Sequence, residues 1–186
     1  MSEYPKIATV VSCGAQKQDL NDGETVPARE LYTSSVHTCK DRYGRHSAGY
    51  YIASAKFGLV PATAELPEYD MHLNDRTERS QVTWGWEVVE DLREAVELRE
   101  FDAVVLIANE QYAERIVSPA RSLPLRVPLY TPWQSHDHIT GVGKGMAWCN
   151  DEDHWPVNLG ALDEDVLGEP RNGDVEVTLL RWSECR

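Results

Sequence analysis

The sequence predicts an α/β fold, a three-layer α/β/α sandwich around a mostly parallel sheet of about four strands. Three observations predict it. Short β-branched runs recur along the chain, helical segments separate them, and each run is apolar enough to be covered on both faces. Strands alternating with helices in this way build βαβ units, and ligands of such sheets sit at the carboxyl ends of the strands.

The first strand is read over residues 6–13, a β-branched run that ends in Ser12-Cys13-Gly14. Residues 14–28 are polar, with Asn21, Asp22 and Gly23 as turn punctuation. A helix is read from Pro27, with Leu31, Val36, Cys39 and Tyr43 near one face and Gly44 ending it. Residues 49–55 form the second strand. The stretch 56–75 carries Gly58, Pro61 and Pro67 and reads as a long loop, a length that in compact domains often signals function. Residues 76–100 form the clearest helix, with Trp86, Val89, Leu92, Val96 and Leu98 at helical spacing. The third strand covers 102–108. A short helix over 110–117 is stopped by Ser118-Pro119, and a weaker fourth strand covers 125–130. Pro128 cannot donate to a ladder, so that strand belongs at an edge. Residues 131–155 are rich in Gly, His, Asp and Trp and have a poor hydrophobic period, which assigns them no element. The expected organisation is one α/β domain over 1–155 and an acidic extension over 156–186, whose apolar run 175–182 suits an added edge strand.

The charge balance is uneven: 31 Asp and Glu against 18 Lys and Arg, for a net charge of -13 at pH 7. Only Lys6, Lys17, Lys40, Lys56 and Lys144 are lysines. An acidic, lysine-poor surface stays hydrated in concentrated salt, where self-repulsion is screened over about 3 Å at molar ionic strength. The composition therefore predicts a salt-adapted protein, with an ordinary acidic protein as the alternative. If acidity reflects the solvent, it does not exclude a nucleic-acid ligand. The chain shows no charged start followed by an apolar run, and nothing near the roughly 18 apolar residues of a membrane span. A cytoplasmic location with no membrane partner is expected. Cys13, Cys39, Cys149 and Cys185 are far apart with no C-x-x-C pair, which predicts reduced thiols rather than a zinc ribbon or disulfide framework. Neither a cofactor nor a particular oligomeric state follows.

Four clusters carry possible chemistry. Cys13, Gly14 and Lys17 follow a strand, where backbone N–H groups and a cation suit a phosphate, carboxylate or oxyanion; a plain βα turn is the alternative. Tyr32 and Ser34 sit at a helix start and suit either capping or anion binding. Lys56 stands at the mouth of the second strand, where partial burial would lower its pKa towards nucleophilic or acid/base use. Asp70 on the same loop is its candidate partner, catalytic or merely structural, and Tyr69 and Asn74 would shape the pocket. His136 and His138 suit one face of a metal ion, although such stretches are more often surface loops, and no metal site is expected from them.

The third cluster, Ser54-Ala55-Lys56-Phe57-Gly58-Leu59-Val60-Pro61 followed by Pro67-Glu68-Tyr69-Asp70-Met71, resembles the S-x-x-Y-G-L-L-x-P … P-Y-x-L-x-M signature of YaaA-type peroxide-stress proteins. The chain is more similar still to short YaaA-like proteins with S-C-G-x-x-K, A-R-x-L-Y-x-S and S-A-K-[YF]-G-L motifs. These correspond here to Ser12-Cys13-Gly14 with Lys17, to residues 28–34, and to residues 54–59. Gly141-Val142-Gly143 with Met146-Ala147-Trp148 is similar to that family's closing G-I-G-x-x-L-A-W element. The resemblance spans residues 6–148, but Ala15 and Gln16 stand where the family usually carries further lysines. It implies DNA association and protection from oxidative damage. A fainter similarity to the archaeosine synthase core domain implies a modified 7-deazaguanine as a possible substrate class.

The expected function is accordingly a protein directed at a nucleobase, nucleoside, nucleotide, DNA or RNA, with Lys56 and Asp70 as its candidate catalytic residues. Cys13, Gly14, Lys17, Tyr32, Ser34, Tyr69 and Asn74 are its candidate ligand-binding residues. The alternatives are a non-catalytic DNA-associated stress protein and, more distantly, a metal-dependent hydrolase.

Overall fold

A computed structural model describes residues 4–123, 125–159 and 162–168. Three buried apolar runs become the centre of the sheet: β1 (Ile7–Ser12), β3 (Gly49–Ser54) and β6 (Ala103–Ile107). Successive side chains of a strand point to opposite faces. Ala8, Val10, Tyr51, Ala53, Val104 and Leu106 therefore join one core, and Ile7, Val11, Ile52, Ala103, Val105 and Ile107 the other. Burial on both faces is what makes these runs continuously apolar.

The sheet has five strands in the order β4-β3-β1-β6-β7. β1 pairs in parallel with both β3 and β6, and β6 pairs in parallel with β7 (Leu129–Tyr130). The fifth strand, β4 (Gly58–Pro61), folds back antiparallel on β3. It comes from the stretch expected to be a loop. The same stretch supplies β5 (Glu65–Leu66), which pairs with β2 (Val26–Pro27) in a separate ribbon, and a 3₁₀ turn over Leu73–Asp75.

Helix α2 (Ser35–Gly44) and helix α6 (Val142–Asn150) cover one face through Cys39, Tyr43, Trp148 and Cys149. Helices α3 (Glu78–Arg99) and α4 (Glu110–Ser122) cover the other. The helix expected from Pro27 is broken into α1 (Ala28–Leu31) and α2. Tyr32 is extended, and the Ser34 side chain accepts from the His37 N–H to start α2 afresh. The buried stripe of α3 runs Gln81, Trp84, Gly85, Val88, Val89, Leu92, Val96, so Trp84 is the core tryptophan. Trp86 and Leu98 are 41% and 74% exposed, contrary to their expected place in the apolar stripe.

Helix α4 does not stop at Ser118-Pro119 but continues to Ser122 with Pro119 inside it. Proline has no N–H, so the Arg115 carbonyl lacks its i+4 donor. Gly85 of α3 packs against that carbonyl: a Cβ at Gly85 would overlap the Arg115 oxygen and lie 3.0 Å from its carbon.

The region 131–155, to which its poor period assigned no element, is largely helical. Short α5 (Pro132–Ser135) and α6 occupy most of it, with a 3₁₀ turn over Glu152–His154. Packing also continues past residue 155: Leu159 and Leu167 are buried in the core beneath α2 and α6, and α7 (Glu164–Leu167) carries the second of them. The apolar run 175–182 lies outside the described residues. None of the described helices is long and apolar enough to cross a membrane.

Candidate functional site

The connection leaving β1 runs through α2 on one face of the sheet, and the connection leaving β6 runs through α4 on the other. Their adjacent carboxyl ends therefore form a topological switch point, where open α/β sheets leave a crevice. Cys13 follows β1 and Tyr112 lies in α4. The Cys13 thiol and Tyr112 hydroxyl share a hydrogen bond of 3.2 Å across this point. Cys13 is only partly buried.

The first loop is held in place by the segment before α2. Thr33 N–H donates to the Gln16 carbonyl at 3.0 Å and Gln18 N–H to the Leu31 carbonyl at 2.8 Å, so Lys17 and Tyr32 form an isolated antiparallel bridge. Gly14 lets the loop lie against the start of α2: a Cβ there would sit 3.2 Å from the Ser34 Oγ. Four predicted site residues, Cys13, Gly14, Lys17 and Ser34, thus gather with Tyr32 around one turn.

Tyr69 joins them from the far side. Its hydroxyl is 2.7 Å from that of Tyr32 and 2.8 Å from the Ser54 Oγ, in a buried chain. Ser54 Oγ also accepts from the Lys56 and Phe57 N–H groups at 3.3 and 3.2 Å. With both lone pairs so engaged, Ser54 donates its proton to Tyr69. Tyr69 then donates to Tyr32, which leaves the Tyr32 O–H as the terminal donor. Burial, with the Cys13 charge next, pushes Tyr32 up to about 12 and raises Tyr69 further, so both phenols stay protonated near neutrality. Tyr69→Phe is expected to cost about 1–3 kcal/mol, because it removes the acceptor of the buried Ser54 O–H. Urea unfolding measures this, and an unchanged midpoint would show that the chain does not hold the site together.

Two ammonium groups flank the Tyr69 ring. Lys17 Nζ lies 4.4 Å and Lys56 Nζ 5.7 Å from its centroid, and Lys56 is also 5.2 Å from that of Phe57. Lys56 is exposed rather than partly buried, and no ion pair joins it to the equally exposed Asp70. The structural Lys56–Asp70 pair is absent: the Lys56 ammonium lies over the Phe57 and Tyr69 rings instead. Asn74 does not join the tyrosine cluster. Its Oδ1 accepts from Gln111 Nε2, tying the 3₁₀ turn to α4.

The buried lysine is Lys40, which the sequence did not single out. It is 3% exposed, and its Nζ donates to the Ser12 carbonyl at 2.5 Å and to the Ser12 Oγ at 3.0 Å. Burial lowers it to about 8, while the Cys13 and Cys149 charges pull the other way. A lysine at a helix position flanked by Cys39 and Asp41 gives no periodic signal that it turns inward. Nearby His37 is lowered to about 4, chiefly by burial and then by Lys40, and is neutral at physiological pH. Arg76 and Trp84 complete the frame by donating to the Ala55 and Ser54 carbonyls, each at 2.8 Å.

A cleft of ≈ 330 Å³ opens at the carboxyl end of β6, lined by Asn109, Trp133, Gln134, His136 and Ile139 among others. His136 and His138 do not form a metal centre with further ligands. Their rings are 4.9 Å apart, His136 Nε2 is 2.9 Å from the Val166 carbonyl, and no group of three or more His, Cys, Asp or Glu is placed to share an ion among the described residues.

No curated protein and no solved structure matches the chain. A family model matches residues 8–137, a span that begins within β1 and contains the tyrosine chain and the candidate catalytic and ligand-binding residues from Cys13 to Asn74. The chain belongs to that family, described as Family of unknown function (DUF6884).

Proposed function

We propose that the crevice at the carboxyl ends of β1, β3 and β6 receives an anion that carries a nucleobase, and that the protein binds or processes a nucleobase, nucleoside or nucleotide. The observation that carries this reading is the pair of cations on Tyr69. Lys17 and Lys56 face one ring, and neither has a carboxylate partner among the described residues. With Lys40 they bring three of the five lysines of a strongly acidic chain to one end of the sheet. Uncompensated positive charge there favours a negatively charged ligand. The Tyr32 O–H adds a neutral donor. In the neighbouring cleft, Trp133 offers a stacking face, and Asn109 Nδ2 and Gln134 Oε1, the ends of those carboxamides not used to cap α4 or to bond the Ala108 carbonyl, suit a base edge. The similarity to YaaA-like proteins and to the archaeosine synthase core domain supports the same class of ligand.

A thermal-shift screen against nucleobases, nucleotides, 7-deazaguanines and short DNA and RNA tests the proposal. A ligand at a hundred times its Kd adds about 2.7 kcal/mol of stability. Lys17→Met is expected to weaken a nucleotide at least tenfold, the loss of roughly one hydrogen bond to a charged group. A shift with polynucleotide alone would favour the non-catalytic DNA-associated reading, and silence across the panel would sink both.

A further inference from the structure

A second cleft, of ≈ 360 Å³, opens at the other end of the sheet, around the amino-terminal end of β3. Arg29, Arg45 and Arg99 line it, with Ser47, Tyr50 and Thr63 between them. The arginines arrive from three places: α1, the C-cap of α2 and the last residue of α3. We propose that this cleft binds the phosphoryl group of a small molecule, at a site separate from the crevice and independent of the function proposed for it.

The three guanidinium groups are committed to different degrees. Arg45 is fixed: its Nη2 meets the Asp41 carboxylate at 2.5 Å, and that carboxylate is largely buried. Asp41 also faces the Tyr50 hydroxyl, which burial and then the Asp41 charge keep protonated. Arg29 is loosely held. Its Nη2 reaches Glu30 at 3.5 Å in a half-exposed pair, and its buried Nε has no hydrogen-bond partner. Arg99 is exposed and has neither a hydrogen bond nor an ion pair among the described residues. Three cations against Asp41 and Glu30 leave the cleft positive on a chain of net charge -13.

Cations at helix C-termini are stabilised by the helix dipole alone. That accounts for Arg45 and Arg99 one at a time, but not for the convergence of three arginines on one concavity. A guanidinium fork matches two phosphate oxygens at once, and one anchored arginine beside two under-committed ones suits a tetrahedral oxyanion. The cleft volume lies within the range of small-ligand sites, with room for more than the phosphate itself.

Isothermal titration of the full chain at fixed ionic strength tests this, with inorganic phosphate, glycerol 3-phosphate and a short single-stranded DNA as probes. Saturable phosphate binding is expected, weakened at least tenfold in Arg29→Met/Arg99→Met and unchanged in Arg79→Met, a change at an exposed arginine that lines neither cleft. Arg45 is left in place because its pairing with Asp41 is part of the fold. Arg99→Met alone, at an exposed position, is the fallback if the double variant melts early, and it is expected to weaken binding severalfold. Absence of saturable binding, or binding untouched by the arginine changes, overturns the site. Loss of binding in Lys17→Met overturns it too, by placing the phosphate in the crevice. Glycerol 3-phosphate binding more tightly than DNA per site supports the small-molecule source, and the reverse order with the same arginine dependence refutes it.

Discussion

Gly85→Ala is expected to lower stability by roughly 3 kcal/mol, at the upper end of the cost of overpacking. For a chain of this length that corresponds to a fall in Tm of about 6–12 °C. A single methyl group is that expensive here because the neighbour is backbone. The added Cβ would overlap the Arg115 carbonyl oxygen, and a carbonyl inside a helix cannot rotate aside as a side chain can. Relief would require α3 and α4 to separate. That would disturb the Arg115 Nε to Gln81 Oε1 hydrogen bond of 3.2 Å and the packing of Trp84 and Ile116 in the same core. Thermal and urea denaturation followed by circular dichroism give the measurement. A variant as stable as the parent would mean that the helices are not in close contact at this point. Ala120, on α4 and only partly buried, provides a control position where substitution is expected to cost far less.

The second large effect concerns Lys40 and appears as a dependence on pH. Burial lowers Lys40 from 10.5 to about 8, so between these values the unfolded chain holds a proton that the folded chain has lost. Stability then rises with pH across that window. Below it, the folded protein carries a buried ammonium that costs roughly 3 kcal/mol relative to water. Lys40→Met keeps the length of the side chain and removes this charge. The parent is therefore expected to gain roughly 3 kcal/mol on Lys40→Met as the pH rises from below 8 to above 10.5. Cys149, raised to about 12, and the tyrosines raised by burial act in the opposite direction above pH 9, because the unfolded chain ionises first. They are common to both proteins and cancel in the difference, apart from the minor part of the Cys149 shift that Lys40 itself supplies. Urea unfolding of both at several pH values from 7 to 11 makes the comparison. Parallel profiles would show that Lys40 is not charged in a buried place. At pH 7 the substitution exchanges the cost of the charge for that of leaving the Ser12 carbonyl and hydroxyl without their donor, so the two proteins are expected to be close in stability there.

Lys40 also marks the limit of what the sequence makes legible. Strands buried on both faces announce themselves, because every residue of Ile7–Ser12 and Ala103–Ile107 must be compatible with a core. The α/β class and the carboxyl-end location of Cys13, Lys17 and Lys56 follow from that pattern. The errors arise where the signal is carried by one residue rather than by a period. Gly85 has no side chain with which to reveal that its side of α3 is the buried one, so the apolar spacing points to Trp86 where the core takes Trp84. Pro119 reads as a stop, yet a helix can continue through a proline when its freed carbonyl faces a neighbour without a Cβ. In α6, the glycines at 143 and 145 mask the period that buries Trp148 and Cys149. Of the site, Tyr32, Tyr69, Lys17 and Gly14 were legible through motifs. Tyr112 was not, because its place opposite Cys13 depends on α4 crossing the sheet, which no local pattern encodes.

The gathering of lysines at one end of an acidic molecule has a kinetic consequence. An anion approaching from a distance meets the field of the whole chain, which is repulsive, and only within a few ångströms does the local attraction of Lys17 and Lys56 prevail. Salt shortens the reach of the first before it weakens the second: the Debye length is about 10 Å at 0.1 M and about 3 Å at 1 M. Capture of an anion by this crevice would thus quicken as salt is first added, the reverse of the behaviour of a basic protein, and the crevice would keep its grip at ionic strengths where long-range steering has vanished.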